Sequence, residues 1–394
     1  MDLFIIIFHI FLGVLVGTLT GLIPGLHPNT MCTLFIGFFF GEPFLVSVLI
    51  VSSAIAHSFL DFIPSIFLGA PDAGTAMGVL PGHNMMLKGE GYEAVRLTVI
   101  GGLVSLLIIL VLLPFLMILT APLYDIIRPN IHWILITLTG FMFTKDRKIW
   151  GPVVFGLSGL LGYIVLNGNF LGNFELLPML TGLFGTSMIL KSLHDEVKIP
   201  EQKNQPSVVG RGDMIKGGLV GSLSGILVGL LPGVGAAQAT FISREILKDK
   251  TEKKFMIAIG GVNTVVAVFS ILALWIIGKT RSGVAVAVNE LLGNLVFSDV
   301  MIFLGAIVLS GGLSSILTII LAKKTIAFFR KINYKKASLS VILGLVSIVF
   351  VFTGLPGLFV LFLSTVIGLV TLLTNTRRSY MMACIIVPTV IYFI

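Results

Sequence analysis

The sequence predicts an all-α polytopic membrane protein made of two inverted-topology repeats, each with a broken re-entrant helical hairpin and about five transmembrane helices. Three observations support this prediction. Hydrophobic residues make up 56% of the 394 residues and charged residues only 11%, whereas soluble domains carry about 25% charged residues. Many apolar runs approach the roughly 20 residues that cross a bilayer as a helix. A segment interrupted by glycine and proline near the start returns in the second half.

The internal repeat has one nearly constant offset. Gly17–Gly25 reads GTLTGLIPG, and Gly225–Gly233 reads GILVGLLPG, 208 positions later. A second pair, Leu68–Ala76 and Ile277–Ala285, is offset by 209 positions. Paired breaks of this kind are the best sequence indication of a transport site in a membrane protein. The repeat predicts the following domains: a first repeat over 1–200, a linker over 201–216 and a second repeat over 217–394.

The basic residues indicate that the two repeats have opposite orientations. Short loops rich in Lys and Arg stay in the cytoplasm. The loop 323–336 carries six basic residues, whereas its counterpart 115–128 carries one. Basic loops in one half therefore correspond to neutral loops in the other. The N- and C-termini are predicted outside and the central linker in the cytoplasm; Lys279 and Arg281 then fall outside, as site residues or mild violations of the rule.

The predicted elements follow the same plan twice. The first repeat has a hairpin over 3–40 folded at Pro24-Gly25, followed by crossings near 44–66, 97–119, 131–144, 149–166 and 178–192. The second has a hairpin folded at Pro232-Gly233, followed by crossings near 255–277, 300–321, 337–353, 357–373 and 380–394. The long uncharged crossings 97–119 and 300–321 are predicted to form a scaffold, against which the hairpin-bearing core moves in an elevator-like manner.

The two Pro-Gly breaks predict a substrate site. A helix ends at such a pair, and the half-helix after it presents free N–H groups and a positive dipole end that suit an anion such as a carboxylate. Tight turns between full helices, with glycine for close packing, are the alternative. The predicted substrate-binding residues are Pro24, Gly25, His27, Asn29, Thr30, Pro232, Gly233, Gly235, Ala236, Gln238 and Thr240.

A second set of polar residues predicts ion coupling. His57 and Asp61 are four residues apart and share one face of a helix. An ionisable residue inside a membrane span is a functional candidate, here as a proton relay or part of a Na⁺ site. A pair near the membrane edge is the alternative. The predicted ion-coupling residues are Ser53, His57, Asp61, Asn263 and Thr264.

Asp72 and Arg281 occupy equivalent positions in the second repeated segment. One could neutralise the other or bind substrate charge, and a simple loop ion pair is the alternative. The sequence contains no HExxH, GxSxG or Walker motif and no Cys/His metal spacing. An enzyme, a metal site and a cofactor are therefore not expected. The formal net charge of +8 does not indicate a nucleic-acid partner either, because Lys and Arg collect in short loops between apolar runs. Without a nucleotide-binding loop, the energy must come from an ion gradient, Na⁺ or H⁺, or from a partner.

Three segments resemble the large membrane subunit of tripartite tricarboxylate transporters, the TctA family, in a short archaeal-type form. They are GLIPGLHP at Gly21–Pro28, GLLPGVGAAQAT at Gly229–Thr240, and LPGHNMMLKGEG at Leu80–Gly91. The resemblance implies uptake of citrate-like organic acids driven by Na⁺ or H⁺. It also implies two partners, a small membrane subunit and an extracytoplasmic binding protein; a homodimer is a further candidate assembly. His27 stands where the family pattern usually has glycine, and a double-Asn signature is reduced to Asn263-Thr264.

Two other functions are compatible with these residues. A flippase could use the same two helix ends to hold the phosphate of an anionic lipid. An intramembrane enzyme could use His57 and Asp61. A cation-coupled importer of organic anions is the leading hypothesis.

Overall fold

The computed structural model describes residues 2–23, 41–69, 75, 79–144, 149–168, 171–194, 200–203, 209–231, 236–247, 252–329 and 334–394. Over these residues the chain is helical and contains no strand. Eight helical segments in this part of the chain are long and apolar enough to cross a membrane. The prediction of an all-α polytopic membrane protein is therefore confirmed.

The helices follow the predicted order. The first half contains α1 (Leu3–Leu22), α2 (Pro43–Leu60), α3 (Phe62–Phe67), α4 (Val79–Leu87), α5 (Gly91–Ile127), α6 (Ile131–Thr144), α7 (Trp150–Asn167), α8 (Leu176–Leu180) and α9 (Ser187–His194), with a π-helical segment, Thr181–Thr186, between the last two. The second half contains α10 (Arg211–Leu230), α11 (Ala236–Leu247), α12 (Glu252–Ile277), α13 (Gly283–Leu292), α14 (Phe297–Phe329), α15 (Tyr334–Leu373) and α16 (Ala383–Phe393), with a 3₁₀ turn, Arg378–Met382, before the last.

Helices α1 and α10 both end directly before a Pro-Gly pair. Their capping residues, Ile23 and Leu231, have extended backbone with ψ of 107° and 119°. The residue before a proline is disfavoured in the helical region, which explains why both helices stop there. The two Pro-Gly pairs themselves lie outside the described residues.

The second repeated segment also has the same local conformation in both halves. Gly69 and Gly278 have φ of 66° and 60°. This left-handed backbone favours glycine, because a Cβ atom is strained there. The same device occurs at Gly354, with φ of 63°, where α15 bends between the two crossings predicted for this region.

The helices form two main hydrophobic cores. The first core contains buried residues of α1–α5 and α10–α14. The second core contains buried residues of α6–α8, the π-helical segment, α15, the 3₁₀ turn and α16. Each core thus takes helices from both halves. The predicted scaffold crossings, 97–119 and 300–321, lie in α5 and α14 and therefore pack in the first core.

The helix contacts within the first core come in matching pairs. Helix α1 packs on α2 as α10 packs on α12, and α2 packs on α14 as α12 packs on α5. The members of each pair are related by the offset seen in the sequence. The repeat is therefore visible in packing as well as in residue pattern.

Candidate functional site

A buried polar cluster lies where α2 meets α3. His57 is in the last turn of α2 and Asp61 joins the two helices, and the residues are 4% and 3% exposed. The helix is interrupted here because Pro64 has no N–H to donate to the carbonyl of Leu60. Nε2 of His57 lies 4.0 Å from Oδ2 of Asp61. The predicted pair on one helix face is thus a close contact inside the protein.

Asn263 of α12 brings the second half into this cluster. Its Nδ2 donates to Oδ2 of Asp61 at 2.9 Å and to the carbonyl of Ser58 at 3.1 Å. A carboxylate buried among apolar side chains requires hydrogen-bond donors, and this amide supplies one. Three of the predicted ion-coupling residues, His57, Asp61 and Asn263, therefore meet at one place.

Thr20 of α1 completes the cluster and was not among the predicted residues. Its hydroxyl donates to the carbonyl of Gly17 at 3.2 Å and lies 3.1 Å from Nδ1 of His57. A hydroxyl has one hydrogen, so if that hydrogen stays on the Gly17 carbonyl, the imidazole Nδ1 is the donor to Thr20. A second proton on the ring would then reside on Nε2, which faces Asp61. The position of Thr20 beside Gly21 in the repeated motif was the available sequence signal.

Glycines bring α1 close enough to α2 for this contact. A methyl group at Gly13 would lie 2.5 Å from the carbonyl oxygen of Leu49, and one at Gly17 would collide with the carbonyl oxygen of Ser53. A methyl group at Gly21 would lie 2.8 Å from Cβ of Leu60. Small residues at every fourth position allow helix backbones to approach closely in a membrane.

Helix α10 packs on α12 through the same spacing. Methyl groups at Gly221, Gly225 and Gly229 would lie 2.6 Å from the carbonyl oxygen of Ala258, 2.9 Å from Cγ1 of Val265 and 2.5 Å from Cδ1 of Phe269. These glycines are the counterparts of Gly13, Gly17 and Gly21 at the offset of 208 positions. The stripe therefore has the same packing role in both halves.

The other predicted ion-coupling residues lie apart from the carboxylate. Ser53 is buried and turns its carbonyl toward α1. The hydroxyl of Thr264 is buried without a hydrogen-bond partner among the described residues. A methyl group at Gly102 would lie 2.9 Å from that hydroxyl, so Thr264 faces α5.

Most predicted substrate-binding residues fall outside the described part of the chain. Ala236 is the first residue of α11 and is buried, and the hydroxyl of Thr240 donates to the Ala236 carbonyl at 2.8 Å. The residues whose positions or side chains lie outside the description are Pro24, Gly25, His27, Asn29, Thr30, Pro232, Gly233, Gly235 and Gln238. An anion site at the two breaks stays a prediction.

Arg281 occupies the short segment between α12 and α13. Its Cζ lies 4.8 Å from the centroid of the Tyr124 ring, which belongs to α5. Nε and Nη2 of Arg281 are buried and have no hydrogen-bond partner among the described residues. Its predicted charge partner, Asp72, lies outside them. Tyr124 was not predicted to participate.

His83 of α4 is another buried titratable side chain near the first core. Its Nδ1 lies 2.9 Å from the carbonyl oxygen of Ile66, which holds α4 against α3. Burial lowers the pKa of His83; the Ile66 carbonyl opposes this shift, and the charge of Arg378 adds to it. The imidazole is therefore neutral near pH 7, and its contact with the Ile66 carbonyl joins α4 to α3.

Comparison with known proteins decides the family. The model of the tripartite tricarboxylate transporter TctA family matches residues 7–383. The chain belongs to the TctA family. This TctA-family chain is therefore a multi-pass membrane transporter component. The TctA family is a transporter family and not an enzyme class. The chain is 33% identical over 362 residues to an uncharacterized protein of Methanocaldococcus jannaschii. The match covers 89% of this chain and 88% of the relative. No solved structure matches the chain.

Proposed function

We propose that this TctA-family chain is a secondary active transporter that imports organic acid anions, of di- or tricarboxylate type, together with Na⁺ or H⁺ by alternating access. The observation that carries the proposal is the buried hydrogen bond from Asn263 in the second half to Asp61 in the first. An ionisable group inside a membrane span is costly and is retained for a function. Because this group joins both halves, a change in its charge acts on their mutual packing.

The cluster suits either coupling ion. For H⁺, the Nε2 atom of His57 and the carboxylate of Asp61 are 4.0 Å apart and could exchange or share a proton. For Na⁺, the Asp61 carboxylate, the Ser58 carbonyl and the Thr20 hydroxyl are hard oxygen ligands of the kind that hard cations prefer. The charge of Asp61 is the common element. Neutralising it with H⁺ or Na⁺ would lower the cost of moving the cluster through the membrane.

The substrate anion would bind at the two Pro-Gly breaks. Helix α11 begins at Ala236, directly after the second break, so its first N–H groups are available to an anion. The matched glycine stripes and the shared left-handed backbone at Gly69 and Gly278 support a structural repeat. Under an inverted repeat, the corresponding end in the first half would approach the same anion from the opposite side.

The two cores provide parts that could move against each other. The first core carries the polar cluster and both helices that end at the breaks, while the second core takes other helices from both halves. We therefore place the moving unit in the first core and the scaffold in the second. This elevator-like arrangement is an alternative to the expectation that α5 and α14 form the scaffold.

The family indicates the partners of this chain, and the basic loops indicate its orientation. The large subunit of a tripartite system would work with a small membrane subunit and an extracytoplasmic binding protein, and a homodimer is compatible with the exposed apolar helix faces. From the basic loops we propose that the termini lie outside and the central linker in the cytoplasm. The predicted repeats, 1–200 and 217–394, are then related by a pseudo-twofold axis in the membrane plane.

Uptake into proteoliposomes tests the proposal. Labelled citrate and succinate would be offered under an inward Na⁺ gradient, an inward H⁺ gradient, or neither. We expect accumulation above the external concentration with one gradient, and loss of accumulation when an ionophore dissipates it. If no organic acid accumulates under either gradient, including with the family's accessory subunits present, the proposal is wrong.

The same vesicles distinguish the lipid alternative. A fluorescent anionic phospholipid in the membrane would change leaflet if the protein were a flippase. Lipid movement without organic acid uptake would show that the site binds a lipid phosphate headgroup and not an organic acid.

A further inference from the structure

The segment that carries Arg281 folds back toward the body of the protein. Oγ of Ser282 donates to Oγ of Ser270 at 3.0 Å, and Ser282 also caps α13 by accepting from the N–H of Ala285. Ser270 lies about two helical turns, or ~10 Å, before the end of α12. The backbone at Arg281 is therefore drawn back alongside α12. This position accounts for a basic residue where the positive-inside rule predicts none.

The guanidinium of Arg281 contacts one aromatic ring, and two of its nitrogens have no hydrogen-bond partner among the described residues. Its Cζ lies over the ring of Tyr124, a residue that is 7% exposed. The two buried nitrogens without a partner among the described residues are Nε and Nη2. The N–H groups of this pair point in nearly the same direction. Together they form the fork that matches the two oxygens of a carboxylate.

Arg96 shows the same fork occupied in this protein. Its Nε donates to Oε2 of Glu93 at 2.8 Å, and its Nη2 donates to Oε1 at 3.0 Å. Glu93 is buried, and the pair satisfies both partners. Arg281 presents the identical edge, with no acidic partner in the part of the chain that the structure describes.

A fork whose two nitrogens are buried without a partner among the described residues is difficult to explain as a structural contact. A buried charge requires both opposite charge and hydrogen bonds, and a stacked aromatic ring supplies only a weak electrostatic attraction. An apolar side chain would fill the same space over Tyr124 without this cost. The retained guanidinium indicates that an anion with two oxygens occupies the fork in part of the working cycle.

We infer that Arg281 binds one carboxylate of the transported anion through Nε and Nη2, with Tyr124 holding the plane of the guanidinium. This inference rests on the proposed transport of organic acids and adds a specific recognition residue. Both nitrogens are covered in the present conformation, so the segment between α12 and α13 opens before binding.

Binding and uptake of citrate and succinate by variants test this inference. Arg281→Lys keeps the positive charge but loses the fork, and Arg281→Met removes both. We expect the apparent affinity to fall about 10- to 100-fold in each, the range for a lost hydrogen bond to a charged group. Tyr124→Phe keeps the ring and should change the affinity less than about threefold. Lys279→Gln is the matched control, since Lys279 is an exposed neighbouring cation, and should bind as the wild type does.

The stability of the ligand-free protein separates a binding role from a structural one. We expect Arg281→Met to unfold at the same or a higher temperature than the wild type in detergent, because it removes two buried N–H donors that have no partner among the described residues. A lower melting temperature together with unchanged affinity in Arg281→Lys would assign Arg281 a structural role and overturn the inference. If both Arg281 variants take up substrate with the affinity of the wild type, this inference is wrong and the proposed function still stands. Absence of organic acid uptake in the wild type defeats the proposed function as well.

Discussion

The two cores differ in the chemistry that they bury. Among the described residues, the buried histidine, aspartate and glutamate side chains all lie on helices of the first core: His57, Asp61, His83 and Glu93. The prominent polar contacts of the second core are made by hydroxyl groups. Thr186 Oγ1 lies 2.6 Å from Thr365 Oγ1, and Tyr380 Oη donates to the carbonyl of Met142 at 2.9 Å.

This difference separates two kinds of polar group. Hydroxyl groups satisfied by a neighbouring oxygen stabilise packing without changing charge at physiological pH. The His57–Asp61 pair can change charge, and burial makes each charge state depend strongly on its neighbours. Under the proposed function, coupling belongs to the first core and support to the second.

Removing the amide of Asn263 should produce the largest difference between the cores. Asn263→Leu leaves Asp61 without this donor, and we expect gradient-driven uptake to fall about 10- to 100-fold, since a hydrogen bond to a charged group contributes about 1.5–3 kcal/mol. Asn130→Leu is the control, because Asn130 is exposed and its Nδ2 donates to the carbonyl of Ile126, four residues earlier in the chain. Equal uptake by the two variants would remove the cluster from the transport mechanism.

Close packing should be equally strict in both cores. A methyl group at Gly101 would collide with the carbonyl oxygen of Ile257 in the first core, and one at Gly162 with that of Cys384 in the second. Since backbone cannot yield as a side chain does, each Gly→Ala change should cost about 1–3 kcal/mol of stability. Thermal unfolding in detergent measures this, with Gly305→Ala as a control because a methyl group there meets nothing within 4 Å. A neutral Gly162→Ala would show that the second core is loosely packed.

The two glycine stripes should respond unequally. A methyl group at Gly17 meets backbone at Ser53, whereas one at Gly225 first meets the Val265 side chain at 2.9 Å. We expect Gly17→Ala to lower the free energy of unfolding by about 1 kcal/mol more than Gly225→Ala, because the valine can rotate and alanine favours the helix. Melting temperatures of the two variants provide the measurement. The reverse order would contradict the packing described for α1 on α2.

Two threonine substitutions should have the smallest effects on stability, and only one of them should change the pH dependence of uptake. Thr186→Val removes a hydroxyl bond in the second core and should cost about 1 kcal/mol of stability, with the pH dependence of uptake unchanged. Thr20→Val should cost a similar amount, but it also removes the hydroxyl partner of Nδ1 of His57 and should shift the pH profile of uptake. Initial uptake rates between pH 5 and 8, the range in which histidine titrates, distinguish the two. Identical profiles would show that His57 is not titrated during transport.

The sequence contains most of the information about where the helices begin and end. The crossings predicted near 131–144 and 255–277 correspond to Ile131–Thr144 and Glu252–Ile277, because long apolar runs leave few alternatives in a membrane. The break after Leu22 and the bend at Gly354 were also predictable, since proline and glycine act on the local backbone.

The candidate site was only partly predictable. The i, i+4 spacing of His57 and Asp61 follows from helix geometry. The contact of Asp61 with Asn263 requires knowing which faces of α2 and α12 cross, which one helix pattern does not contain. Tyr124 gave no signal, because aromatic residues are common in apolar helices. The role of α5 and α14 as a scaffold stays a prediction, because an uncharged run does not indicate which core the helix joins.

Substitution of Asp61 tests the central claim most directly. Asp61→Asn keeps the size of the side chain but cannot change charge with H⁺ or Na⁺. In proteoliposomes, we expect this variant to lose accumulation of citrate or succinate driven by the ion gradient, while exchange of internal for external substrate continues. Asp125→Asn, the same change at an exposed position, should accumulate substrate as the wild type does. Normal gradient-driven accumulation by Asp61→Asn would show that the buried cluster does not couple transport to an ion.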